Sequence, residues 1–196
     1  MIDMTNQAED AMTPIFLIAG SPGVGKSTIG GALAGKFPKG MHIPLDTIRH
    51  MVVSGRLGPS LDVWSEGFIE QLEAARASMC AMALRYRSVG FAVTIDDIWD
   101  RYNRLTEYYP ELLAMPDTHK ILLYPSEETA MVRNVGRYGP GERADILNRA
   151  IHYIYADLRT SAAILKEEGW IVVDSTEQSV EETVAEILER TGNRSV

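Results

Sequence analysis

The segment Gly20-Ser21-Pro22-Gly23-Val24-Gly25-Lys26-Ser27-Thr28 constrains this chain more than any other feature. It satisfies the pattern GxxxxGK[ST] without a mismatch. Glycines at 20, 23 and 25 permit dihedrals closed to other residues, so successive amides can turn inward. Those amides form a concave anion site, reinforced by the positive end of a helix predicted to begin near Lys26. Lys26 adds a mobile cation for the β- and γ-phosphates, and the Ser27 hydroxyl suits one coordination position on Mg²⁺. All nine residues are thus the expected binding segment for a nucleoside triphosphate, ATP with magnesium. Chance alone produces such a match in roughly one chain of this length in a hundred. The context sharpens it, because an apolar run (PIFLIA) precedes the loop and an amphipathic pattern follows.

From Ile15 onward, short apolar runs alternate with longer helical patterns, the signature of a parallel sheet covered by helices on both faces. The expectation is a three-layer α/β fold with five strands, at Ile15–Ala19, Met41–Leu45, Phe91–Ile95, Lys120–Tyr124 and Trp170–Val173. Helical stripes lie between them. Ile29, Leu33 and Phe37 recur every four residues until Pro38. A second stripe runs from Leu61 and Trp64 through Phe68, Leu72, Ala75, Met79, Met82 and Tyr86 to Val89. Unbroken, it would extend about 43 Å, so a bend is expected, at Gly67. A third stripe spans Leu147 to Leu165 and ends at Gly169, and Ser179 with Glu182 forms a capping-box pair opening the last helix. Residues 1–13 read as a flexible tail and 14–196 as one domain, a length that fits a single core.

Charge narrows the partners. With 19 basic and 27 acidic residues the formal charge is −8, which disfavours long nucleic acid. No apolar run approaches the ~18 residues of a membrane span, and the polar start lacks a secretory pattern, so a cytoplasmic protein is expected. Cys80, the single cysteine, reads as a small core residue. Whether the chain is a monomer or a homodimer is open.

Three further features bear on what happens to the phosphate. Asp46, at the end of the second predicted strand, would face the same crevice as the glycine loop. A carboxylate there can take the proton of an acceptor hydroxyl while Arg49 steadies a polar group; the alternative is a helix N-cap. Phe91–Asp97 is an apolar strand ending in two acids. Asp96 is the better candidate for the magnesium side, and Asp97 is the alternate. Arg133 and Arg137 share a face if the helix from Ser126 persists past Gly136, and the Tyr138–Arg143 segment after them resembles a hinge. Together, residues 133–143 are expected to form a short lid whose arginines neutralise transferring charge. The substrate side is expected to draw on His42, Asp46, Arg49 and the stretch Ser54–Trp64, where Trp64 either walls a pocket or belongs to the core.

These motifs together resemble the small P-loop kinases that include chloramphenicol phosphotransferase, the zeta toxins and the 5′-hydroxyl kinase domain of polynucleotide kinase. The resemblance covers nearly the whole chain after residue 13. It rests on GSPGVGKST, Asp46 with Arg49, Asp96–Asp97, Arg133 with Arg137, and VVDST at Val172–Thr176. It implies a five-stranded P-loop NTPase sheet in the order 2-3-1-4-5, Asp46 as base and an arginine lid. It also places Asp174, Ser175 and Thr176 beside adenine. There are departures. Adenylate kinases carry a strand-end Asp-Gly-aromatic-Pro-Arg run where Asp96-Asp97-Ile98-Trp99 stands here. Shikimate kinases place two acids one residue apart on the second strand, and Pro44 fills the earlier slot. The expected activity is transfer of the γ-phosphate of ATP to a hydroxyl of a small molecule. The alternatives are a 5′-hydroxyl nucleic-acid kinase and a nucleotide-binding regulator or toxin-like module with slow hydrolysis.

Overall fold

A computed structural model describes residues 13–58, 65–99 and 105–193. At its centre lies β1 (Ile15–Gly20), buried along its whole length. Successive side chains of a strand point to opposite faces, so Ile15, Leu17 and Ala19 enter one apolar layer while Phe16 and Ile18 enter the other. β2 (Gly40–Pro44), β3 (Ala92–Ile98), β4 (Thr118–Leu123) and β5 (Trp170–Val173) complete a sheet in the order β2-β3-β1-β4-β5. Every pairing is parallel. The expected class and strand order both hold.

The helices are α1 (Lys26–Ala34), α2 (Leu45–His50), α3 (Glu66–Arg87), α4 (Pro110–Leu113), α5 (Glu127–Tyr138), α6 (Glu142–Glu167) and α7 (Val180–Arg190), with a 3₁₀ turn at Leu105–Tyr108. α3 packs Phe68, Leu72, Ala75 and Met79 against one face of the sheet, with Tyr109 and Leu112 beside them. α1 and α7 cover the other face through Ile29, Leu33, Val184 and Ile187. α6 lies along the β5 edge and serves both layers, giving Ile154, Leu158 and Leu165 to one and Ile151 and Tyr155 to the other. The capping box at Ser179 and Glu182 is present in both directions.

Several boundaries differ from the sequence reading. α1 ends at Ala34, so Phe37 packs from beyond the helix, 5.8 Å from the Phe16 ring. α3 begins at Glu66 behind the Ser65 cap, which leaves Gly67 in the first turn and removes the reason for a bend. Its 22 residues span about 33 Å. Leu61 and Trp64 fall outside the described residues, as does most of the 1–13 segment. Cys80 is buried on α3, and burial pushes its thiol pKa up.

Candidate active site

Strand β1 delivers the glycine loop to the carboxyl edge of the sheet, where α1 begins immediately after it. Gly25 caps α1 in a left-handed conformation with no side-chain hydrogen bond, which leaves the first-turn amides to the loop's concave side. Gly23 is fixed by a close approach as well as by its φ of 79°. A Cβ there would run into the carbonyl oxygen of Ala130 on α5. The loop and α5 are thus packed backbone to backbone.

A cavity of about 490 Å³ opens over this loop, a size typical of small-molecule sites. Pro22 through Thr28 line it, and Lys26 donates from Nζ to the carbonyls of Gly20 (3.0 Å) and Ser21 (2.8 Å). Burial lowers the Lys26 pKa from its ordinary value, while Asp96 and then Asp46 oppose that shift. Gly20 and Ser21 support the loop from behind. The Ser21 side chain is fully buried and donates to the Pro22 carbonyl. Ser27 and Thr28 are exposed toward the opening.

The two adjacent acids have opposite fates, because strand geometry sends neighbours to opposite faces. Both lie inside β3, which continues to Ile98 rather than ending before them. Asp96 lines the cavity and accepts a hydrogen bond from His42 Nε2 at 2.7 Å. Asp97 is fully buried on the α3 side. It accepts from Arg76 Nε (2.7 Å) and Nη2 (3.1 Å) and from the Tyr109 hydroxyl (2.8 Å). Burial raises the Asp97 pKa, and the Arg76 guanidinium is the main opposing influence. Asp97 is therefore a structural acid with no access to the cavity, which leaves Asp96 as the acid available to a metal.

His42 corrects another expectation. Its ring lies against α1, close enough that a Cβ on Gly30 would come within 2.7 Å of Nε2. The imidazole reaches Asp96 instead of the substrate side, and glycine at position 30 makes room for it.

Asp46 also moves relative to its predicted place. β2 stops at Pro44, and Asp46 occupies the first turn of α2, whose cap is Pro44. It is neither a strand-end residue nor a helix cap. Its side chain is 69% exposed and lines the cavity, with Oδ1 3.7 Å from Arg49 Nη1. Arg49 is held more firmly, stacking 4.8 Å from the Phe68 ring centroid and donating to the Leu57 carbonyl at 3.0 Å. Gln71 of α3 pins that same loop, accepting from Leu57 N and donating to the Gly55 carbonyl, each at 2.9 Å. Trp64 lies outside the described residues.

On the opposite wall, α5 persists through Gly136 to Tyr138, so Arg133 and Arg137 share the cavity-facing side. Arg133 donates to the Ser175 carbonyl at 2.9 Å. The segment expected as a lid, residues 133–143, comprises the second half of α5, the turn after it and the first two residues of α6. Asn134 ties it down, donating from Nδ2 to the Ala144 carbonyl (3.0 Å) and to Asn148 Oδ1 (2.8 Å). Within VVDST, only Ser175 lines the cavity. Asp174 accepts from the Thr176 amide and hydroxyl, and Thr176 in turn accepts from the Ser126 amide at 2.7 Å. The sequence reading missed Asn134, Gln178, Ser179 and Thr183, all of which line this end. The capping box marked where α7 begins without showing that its first turn faces the cavity.

The groups present suit ATP and magnesium. Ser175 Oγ and Asn134 Oδ1 are buried without a hydrogen-bond partner, and their residues line the cavity. Among the described residues, no three His, Cys, Asp or Glu side chains converge to cage a metal. Magnesium in phosphate sites commonly depends on one or two protein oxygens plus phosphate and water, which Ser27 and Asp96 could supply.

No protein-family model matches the chain, and no curated protein matches its sequence. Solved structures do. A tunicamycin resistance protein from Deinococcus radiodurans superposes with a TM-score of 0.61 at 15% identity, over 93% of this chain and 97% of that one. The likeness is one of fold. A shikimate kinase from Bacteroides thetaiotaomicron gives 0.60 at 17% identity, over 91% and 98%. A gluconokinase from Sinorhizobium meliloti 1021 gives 0.58 at 19%, over 92% and 93%. Identities of this size carry the fold alone. No helix among the described residues is long and apolar enough to cross a membrane.

Proposed function

We propose that this protein transfers the γ-phosphate of ATP to a hydroxyl group of a small molecule. The observation that carries the reading is one continuous cavity, with the Gly20–Thr28 loop along one part and Asp46 with Arg49 at another. The named kinases among the structural neighbours support it. So does the resemblance to chloramphenicol phosphotransferase, the zeta toxins and polynucleotide 5′-hydroxyl kinase.

In this reading an acceptor oxygen forms the new bond to the γ-phosphorus as the bond to the β–γ bridging oxygen breaks. ADP leaves, and the acceptor's proton passes to Asp46, whose exposed carboxylate is free to receive it. Lys26 and Arg137 supply fixed positive charge where negative charge spreads over the transferring oxygens. Arg133 braces the Ser175 side of the cavity through its bond to that carbonyl. Ser27 and Asp96 would hold magnesium, which when bound would supply charge neutralisation at the phosphate oxygens.

Labelled ATP with a library of alcohols, sugars, nucleosides and antibiotics tests the reading, scored for a phosphorylated product. One or more acceptors should take label in a magnesium-dependent manner. Steady ATP consumption that no alcohol accelerates would favour the slow-hydrolysis regulator, and selective labelling of short oligonucleotide 5′ ends would favour the nucleic-acid kinase.

A further inference from the structure

A second depression of about 470 Å³ adjoins the main cavity and shares Asp46 and Arg137 with it. Tyr138, at the end of α5, also lines both, and the other walls include His50 of α2, Met51 just after it and Arg143 in the first turn of α6. Two guanidiniums pack against one ring here, Arg143 at 4.3 Å and Arg137 at 5.1 Å from the Tyr138 centroid. Among the described residues neither arginine makes an ion pair with a carboxylate, although the chain carries 27 acids. Stacking fixes each planar fork with its N–H edges free, the arrangement that matches phosphate or carboxylate oxygens. His50 lies on the same rim. Its Nδ1 donates to the Asp46 carbonyl, while Nε2 accepts from Arg56 at 3.4 Å and so anchors a third guanidinium nearby.

Two like charges held on one ring, with Asp46 the single acid among the residues lining the depression and in an ion pair with neither arginine, suit an anion. We propose that this depression is an acceptor subsite, in which Arg143 holds a phosphate or carboxylate group of an alcohol whose hydroxyl reaches Asp46. The acceptor is thereby an anionic small molecule and not a neutral sugar or alcohol. The proposal rests on the phosphotransfer reading of the main cavity, but it makes a binding claim of its own.

The test therefore has a binding arm and a transfer arm. In the first, protein saturated with magnesium and a non-hydrolysable ATP analogue is titrated with glycerol, glycerol 3-phosphate, glycerate and inorganic phosphate by calorimetry. The anionic probes should bind and glycerol should not. Arg143→Gln should weaken their binding by about 10–100-fold, the worth of a charge-assisted pair, without changing affinity for the analogue. A preference between glycerol 3-phosphate and glycerate tells which anion the subsite takes. Equal binding of anions by wild type and Arg143→Gln overturns the proposal. So does anion binding that vanishes once the analogue fills the loop. In the second arm, labelled ATP is offered with matched neutral and anionic alcohols. Faster transfer to the neutral members overturns the subsite while leaving the kinase reading intact. Binding as expected with no transfer to any alcohol keeps the subsite and removes the kinase reading.

Discussion

The two ends of the cavity are built from different material. At the nucleotide end the cradle is backbone: loop amides, the opening turn of α1, and a glycine against which the Ala130 carbonyl packs directly. At the proposed acceptor end the side chains come from α2, α3, α5 and α6, and the central one, Asp46, is mostly exposed. Backbone sites must be contiguous, because adjacent amides have to converge, and so they leave a motif. Side-chain sites can be gathered from anywhere the fold brings together. The separation has a functional corollary: damage at one end should leave the other end's binding in place.

The sharpest way to break that corollary is Asp46→Asn. Loss of a general base should cost about 10²–10⁴-fold in turnover, with affinity for ATP unchanged in calorimetry. Loss of ATP binding in this variant would mean that the two ends are not separable and that Asp46 is not the base.

On the α3 side of the sheet, outside the cavity lining, lies the buried Arg76–Asp97 pair. Arg76→Met leaves a carboxylate in the core without its cation, and should destabilise the fold by roughly 3–5 kcal/mol in urea unfolding. Arg76→Met combined with Asp97→Leu should recover a large part of that loss. Unchanged stability in the single variant would assign the pair a role at the cavity instead of in the core.

At the nucleotide end, Lys26→Ala should lower turnover by about 10²–10³-fold, the cost of one preorganised donor. The fold should be unaffected, since among the described residues Lys26 bonds only to loop carbonyls. Near-normal turnover would remove Lys26 from the proposed chemistry.

How much of this was legible in the sequence follows the same division. The strands around Ile15–Gly20 and Trp170–Val173 were readable because buried parallel strands are short apolar runs, and the loop because its chemistry is contiguous. Strand β3 was readable only in part. Its apolar run stops at Ile95, yet the chain stays extended through two acids because each finds a partner, His42 on one face and Arg76 on the other. Nothing local announces those partners, which lie 54 and 21 residues away. The start of α2 was misplaced for a related reason. Leu45 continues the apolar run of β2, but the chain turns at Pro44 and buries that leucine from a helix. Gly30, in the middle of α1, costs that helix about 1 kcal/mol against alanine, and the reason lies in the His42 ring packed against it.

That last contact yields the smallest and most specific expected effect. His42 orients Asp96 from behind without lining the cavity, so its removal should spare the loop and disturb only what Asp96 holds. His42→Ala should weaken magnesium-dependent nucleotide binding by about 10–100-fold, the usual cost of losing a partner behind a metal-side ligand, with metal-free nucleotide affinity unchanged. Gly30→Ala supplies the independent check. A methyl there would press on the ring from 2.7 Å and should reproduce the same selective loss. Because both changes act through one imidazole, the double variant should be no worse than His42→Ala alone. Additive losses would show that Gly30 and His42 act separately, and equal losses with and without magnesium would detach His42 from Asp96's proposed task.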